Sequence, residues 1–182
     1  MRIFIPALAL LAAQLAFAAQ VDPPNNAELE QIKVEDQDDR KLGPNKIDWS
    51  LVNQRDERRR DRVLQIIKEG SLKTDADYFN AALVFQHAAT ADDIRLAHAL
   101  AQVSSRMNPD NKSAAWLVAA SWDRLMMRLA QPQWYATQFV KRDGRWVLYQ
   151  VNEAAVSDEE RIRVGARTLS DALKHAEALN LR

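Results

Sequence analysis

Two signals sixteen residues apart fix the middle of the chain as helical. Thr74 is followed three residues on by Asp77, and Thr90 by Asp93. A hydroxyl that caps a helix start, with an acid three positions later to bond back, is the capping-box pattern, here with the shorter acid. Each pair precedes apolar residues at helical spacing, which predicts helices over 75–87 and 91–107. Asn108-Pro109-Asp110-Asn111 then reads as a turn, and 112–129 as the next helix, stopped before Pro132. Only four glycines are present. That argues against a glycine-rich phosphate loop and against an all-β fold built on tight turns.

The flanking segments extend the helical reading. Residues 27–41 form a charged helix stopped by Gly43-Pro44-Asn45, and 48–69 a second one ended by Gly70. Beyond Pro132 the period changes. Segments 137–141 and 145–151 are rich in aromatic and β-branched residues, and Asp143-Gly144 between them signals a hairpin. Ser157 with Glu160 opens a short helix ended by Gly165, and Ser170 is expected to cap a last helix to Leu179, with Asn180 as its stop. The expectation is a mainly α domain of six to seven helices with one β-hairpin near 137–151.

The first residues resemble an export signal. Arg2 supplies a positive start, Ile3 to Phe17 is almost continuously apolar, and Ala16-Phe17-Ala18-Ala19 offers small residues for cleavage near Ala18 or Ala19. The stretch is shorter than the ~20 apolar residues of a membrane span. Residues 1–19 are therefore expected to be a signal peptide and 20–26, with Pro23-Pro24, a flexible leader. Residues 27–182 form a single domain, periplasmic or secreted. There is no cysteine, so disulfides, thiol catalysis and a lipoprotein anchor are excluded. Twenty-five basic residues balance 25 acidic ones, which offers nucleic acid no basic excess. No HExxH, no His cluster, no calcium-loop spacing and no GxSxG is present. No metal and no cofactor is expected.

Chemistry-bearing side chains interrupt the apolar helix faces. Asp123 shares a stripe with Trp116, Ala119, Ala120, Met126 and Met127. A buried carboxylate requires a cation or several donors. Arg124, the next residue, points about 100° away, so the pair flanks one cleft or reaches separate partners. His87 lies one turn beyond Leu83 and Val84, where a histidine is a proton shuttle or a donor to a helix-end carbonyl. Gln86 shares the stripe of Phe79 and Ala82. His98, on the stripe of Ile94 and Ala101, reads as a core-edge residue, and His175 as exposed. Asp36 to Arg40 carries four charges in five residues. The five arginines and three acids of 55–62 read as a solvated face with i,i+4 pairs.

Taken in order, these motifs resemble a bacterial family catalogued only as a domain of unknown function. Its pattern is an early Asp-Gln-x-x-Arg, a central Gln-His, an Asp-Arg and a Gln-x-Tyr-Gly-Thr-Gln. The matching residues are Asp36-Gln37 with Arg40, Gln86-His87, Asp123-Arg124, and Gln133-x-Tyr135-Ala136-Thr137-Gln138. Ala136 stands where the family has glycine, which is a strained substitution if the position needs a positive φ. The resemblance implies that Gln37, Arg40, Gln86, His87, Asp123, Arg124, Gln133 and Gln138 gather in one cluster. In that cluster His87 is acid or base and Asp123 orients it. Arg40 or Arg124 holds an anionic group, Gln133 and Gln138 bind polar atoms, and Gln37 and Gln86 complete the ligand shell. The function expected is small-molecule binding or hydrolase- or transferase-like chemistry. The alternative is a helical protein-interaction scaffold in the cell envelope, suggested by the hairpin-like 75–107 pair, although a ~34-residue repeat is not complete twice.

Overall fold

Charged residues placed on buried helix stripes, rather than apolar periodicity alone, determine how the first two helices seat on the rest. The computed structural model describes residues 22–42 and 46–181. In chain order it contains α1 (Ala27–Asp38), α2 (Trp49–Lys68), α3 (Asp75–Phe85), α4 (Ala91–Met107), α5 (Lys112–Arg128), β1 (Phe139–Arg142), β2 (Arg145–Leu148), α6 (Asp158–Arg163) and α7 (Leu169–Leu179). The mainly helical architecture with one antiparallel hairpin is as expected. The signal-peptide and Gly43-Pro44-Asn45 expectations fall on residues outside those described. No described helix is long and apolar enough to cross a membrane.

Local chemistry sets the helix ends. Thr74 forms the full capping box with Asp77 at the start of α3. Asp77 also accepts the Asn26 N–H at 2.7 Å, and the Thr74 hydroxyl donates to the Asn25 amide oxygen. The end of the expected flexible leader is thus tied to α3. At the end of α2, Gly70 N–H bonds Ile67 O and Ser71 N–H bonds Ile66 O, with Gly70 at φ 66°. This is the left-handed stop that glycine takes without a Cβ penalty. The same pair of bonds ends α5 through Ala130 and Gln131, although Ala130 pays that penalty at φ 54°. α1 is shorter than expected because the chain tightens after Asp38. Arg40 N–H bonds Gln37 O and Lys41 N–H bonds Asp38 O. Thr168, not Ser170, caps α7, with its hydroxyl accepting the Asp171 N–H at 3.1 Å.

α4 packs between α3 and α5, and α1 and α2 both lie on α3. The shared core joins Leu29 and Ile32 of α1, Val63 and Ile66 of α2, Ala81, Val84 and Phe85 of α3, Ala97 and Leu100 of α4 and Leu117 of α5. Alanines at α3 and α4 keep these helices close. Burying a side chain the size of Phe85 stabilises the fold by about 2–3 kcal/mol.

The hairpin pairs Phe139 with Leu148 through Arg142 with Arg145, and Asp143 and Gly144 both have positive φ, as a two-residue type I′ turn requires. Both strands are shorter than expected. Thr137 gives its N–H to Asp123 and Gln138 gives its own to the Gln133 side chain. Tyr149 N–H still bonds Gln138 O, and beyond it the chain pairs with Gln133, through Gln133 N–H to Gln150 O and Asn152 N–H to Gln133 O. α7 packs on β2. Asn180 completes the contact by accepting the Trp146 N–H at 2.7 Å and donating to Trp146 O at 2.8 Å.

Ala136, buried inside this loop, has φ 58°. A left-handed L-residue costs roughly 1–2 kcal/mol, partly offset by glycine's greater freedom in the unfolded chain. Ala136→Gly and Ala130→Gly will therefore each raise the free energy of unfolding by up to about 1 kcal/mol, measured by urea titration. A destabilised Ala130→Gly would contradict the assigned backbone, since Ala130 is exposed and loses no packing.

Candidate functional site

The buried stripe of α2 runs Val52, Asp56, Arg59, Val63, Ile66, steps of four and three residues in which two ionic side chains interrupt the apolar ones. α1 does the same with Leu29, Ile32 and Asp36. Charges in such positions are tolerated only when paired, and here they pair with one another. Arg40 bridges the two helices, donating to Asp36 Oδ1 at 3.0 Å and to Asp56 Oδ2 at 2.5 Å. Arg59 holds Asp56 at 2.9 Å and Asp39 at 2.6 Å, and Arg55 reaches Asp39 at 2.9 Å. Three carboxylates meet three guanidiniums. The expectation of a solvated arginine face is corrected for Arg59 and Asp56, which are 8% and 3% exposed.

His87 and Arg124 complete the polar side of a cavity of about 370 Å³ beside this network, with Arg40, Asp56 and Asn53. Its other wall is apolar, from Leu42, Ile47 and Trp49. His87 follows Gln86, the buried C-cap of α3. Its Nε2 faces Asp36 Oδ2 at 3.5 Å, too long for a hydrogen bond, and is buried without a hydrogen-bond partner. Gln37 takes the same Asp36 oxygen at 2.7 Å. Arg124 projects from α5 with its Nε enclosed and unbonded, and no carboxylate among the described residues pairs with it.

These surroundings set the charges. Burial pushes the Asp36 carboxyl up to about 6, against the pull of Arg40 and the Gln37 hydrogen bond. Burial, then Arg40, Arg124 and Arg60, push His87 down to about 3. Burial also lowers the Arg124 pKa, with Arg128 and Arg40 adding to it, but a guanidinium stays charged. At neutral pH His87 is therefore a neutral imidazole near a cation that has no carboxylate partner among the described residues.

The remaining expected residues sit in a second, separate cluster. Asp123 is fully buried and its carboxylate accepts from Trp134 N–H at 2.8 Å, Tyr135 N–H at 2.9 Å, Thr137 N–H at 3.0 Å and the Thr137 hydroxyl at 2.8 Å. Burial raises its pKa while these donors oppose the shift. No bond reaches His87, so the expected orienting role is corrected. Asp123 fixes the 133–138 loop, and Asp36 is the carboxylate that faces His87. Gln133 and Gln138 also lose their expected ligand role, because their side chains are spent on the loop. Gln133 donates to Gln138 O at 3.0 Å and Tyr149 O at 2.9 Å and accepts the Gln138 N–H at 2.8 Å. Gln138 donates to Ala120 O at 3.2 Å. Arg161, 3% exposed, clamps Trp134 O at 2.9 Å.

One cluster was expected and two exist. Gln37, Arg40, His87 and Arg124 share the first, with Gln37 acting through Asp36. Asp123, Gln133 and Gln138 make the second, and the 100° between Asp123 and Arg124 separates them. His98 is at the core edge as expected, bonded to Val118 O at 3.1 Å and to Gln102 at 2.6 Å. His175 is less exposed than expected, its ring edge-on to Phe139 at 5.3 Å. Asp39, Asp56 and Arg59 escaped the sequence reading, and the signal for the last two was their place on the Val52–Ile66 stripe. No group of His, Asp or Glu among the described residues is arranged to hold a metal ion. Comparison with protein-family models, curated proteins and solved structures finds no match.

Asp36 and His87 give opposite pH dependences. Asp36 has its raised value of about 6 against 3.8, so folding takes up a proton there and stability gains on acidification between about pH 6 and 4. His87, at about 3 against 6.5, releases a proton on folding, so stability falls as pH drops below about 6.5. Around pH 5 the two nearly cancel. Relative to the wild type, His87→Gln will gain stability on acidification between pH ~6 and ~4.5 by about 1 kcal/mol per pH unit, and Asp36→Asn will lose it at a similar rate. Parallel pH profiles from denaturant unfolding of all three proteins would contradict the burial of this pair.

Proposed function

We propose that this cavity binds a small organic anion on Arg124, with His87 and Asp36 forming a proton-transfer pair beside it. The observation that carries the reading is the Arg124 guanidinium. It is enclosed at Nε, lines the cavity and has no carboxylate partner among the described residues, although every guanidinium of the adjoining α1–α2 network is paired. An uncompensated buried charge costs several kcal/mol, roughly, and a bound anion is what would offset it. While Arg124 is uncompensated His87 is a weak base, but an anion on Arg124 would cancel one of the charges that depress it and so raise its basicity. His87 would then take a proton from a ligand hydroxyl or a water, and the imidazolium formed would be stabilised by the Asp36 carboxylate. Such geometry often tightens only when ligand is bound.

Within the same proposal the chain is an exported protein of hydrolase or transferase type, and it belongs with the family whose four ordered motifs it shares. Export rests on Arg2, the apolar run and the small residues before Gln20. The scaffold alternative ranks second because α1 and α2 both cover α3, which leaves less of the 75–107 pair open to a partner.

Arg124→Met tests the reading, since binding and stability should move in opposite directions. Removing this half-buried, unpaired charge will raise the unfolding free energy by up to about 1 kcal/mol, while the rise in melting temperature that carboxylates produce in the wild type will vanish. A destabilised variant that keeps the anion response would overturn the proposal. Asp123→Ala supplies the contrast. It will cost about 3–4 kcal/mol by orphaning the N–H groups of Trp134, Tyr135 and Thr137, and any folded fraction will still bind the anion.

A further inference from the structure

The cavity has two chemically different walls, and together they specify more than charge. We propose that the ligand is a carboxylate carried on an apolar body, with the carboxylate on Arg124 and the body against Leu42, Ile47 and Trp49. This rests on the anion-binding reading above and names the class of anion.

Two observations define the head group. Among the described residues that line the cavity, Arg40 is already committed to Asp36 and Asp56, so Arg124 alone offers an uncompensated charge. One guanidinium balances one negative charge. Its planar fork matches a planar carboxylate through two parallel N–H bonds. A phosphate that carries close to two charges would leave the excess facing Asp56, which lines the same cavity.

The apolar wall defines the rest. Leu42 is 57% exposed and Trp49 45% exposed, although both are large hydrophobic side chains, and both line the cavity together with Ile47. Inorganic anions and acetate have nothing to place there. A ring or short acyl body would cover this surface and displace its water. A volume of about 370 Å³ lies at the lower end of the range for small-molecule sites, which limits the ligand to a compact body. Asn53, on the polar side, can bond a substituent on that body and so orient it.

The test is isothermal titration of the full chain with acetate, benzoate and phenyl phosphate at neutral pH and fixed ionic strength, repeated on Trp49→Ala and Arg124→Gln. Benzoate will bind about tenfold or more tightly than acetate. Trp49→Ala will remove most of that difference and leave acetate unchanged, and Arg124→Gln will abolish both. Equal affinities for acetate and benzoate, both lost in Arg124→Gln, would overturn the apolar-body proposal and leave the anion reading intact. Tighter binding of phenyl phosphate than benzoate would overturn the carboxylate head. No binding of any anion to the folded wild type would overturn both readings. The acetate–benzoate comparison is made on the wild type, so it stands whether or not Trp49→Ala folds.

Discussion

The placement of the candidate site depends on the mutual neutralisation of Asp36, Asp39 and Asp56 by Arg40, Arg55 and Arg59 between α1 and α2. Neither helix could bury its stripe against α3 without it, because each carries ionic groups where the helical period places the core. Such a network is weak evidence for stability in itself, since hydrophobic side chains of similar volume often serve as well. What it supplies is position. It brings the Asp36 carboxylate to His87, and it consumes the charge of Arg40, so that among the described residues lining the cavity Arg124 is the cation left without a carboxylate.

The second polar cluster explains how Arg124 comes to be free. Asp123 and Arg124 are neighbours and would make an obvious ion pair, yet the helix sends them in different directions. Asp123 is saturated by donors of the 134–137 loop, and the left-handed Ala136 lets that loop curl around the carboxylate. Gln133 repeats the device one layer further out, joining the loop to the segment that follows β2. A carboxylate and an amide thus stand in for the backbone partners that an irregular buried loop would otherwise lack. One cluster is architectural, the other lines a cavity, and α5 supplies a residue to each.

Much of the fold was legible because its signals are local. Thr74, Gly70 and Asp143-Gly144 act on their own few residues, and the structure uses each as the pattern implies. The errors arise where a distant partner decides the outcome. Thr137 reads as a strand residue until Asp123 takes its N–H. Arg59 and Asp56 read as solvated until Asp39 and Arg40 are brought to them by α1. For the site, sequence reasoning identified His87 and Arg124 as chemistry-bearing, and it assigned the orienting carboxylate to Asp123 because both share an apolar context. Asp36 was within the motif that named Gln37 and Arg40, but nothing local shows that a residue so far back in the chain faces His87.

The central claim is that, among the described residues lining the cavity, Arg124 has no carboxylate partner while Arg40 has two. The most direct measurement is the Arg Nε–Hε region of a ¹⁵N correlation spectrum, recorded as a carboxylate is titrated into the folded protein. The account predicts that the Arg124 resonance alone moves and becomes slower to exchange with water, while those of Arg40 and Arg59 stay in place. A stationary Arg124 resonance, with Arg40 or Arg59 shifting instead, would contradict it.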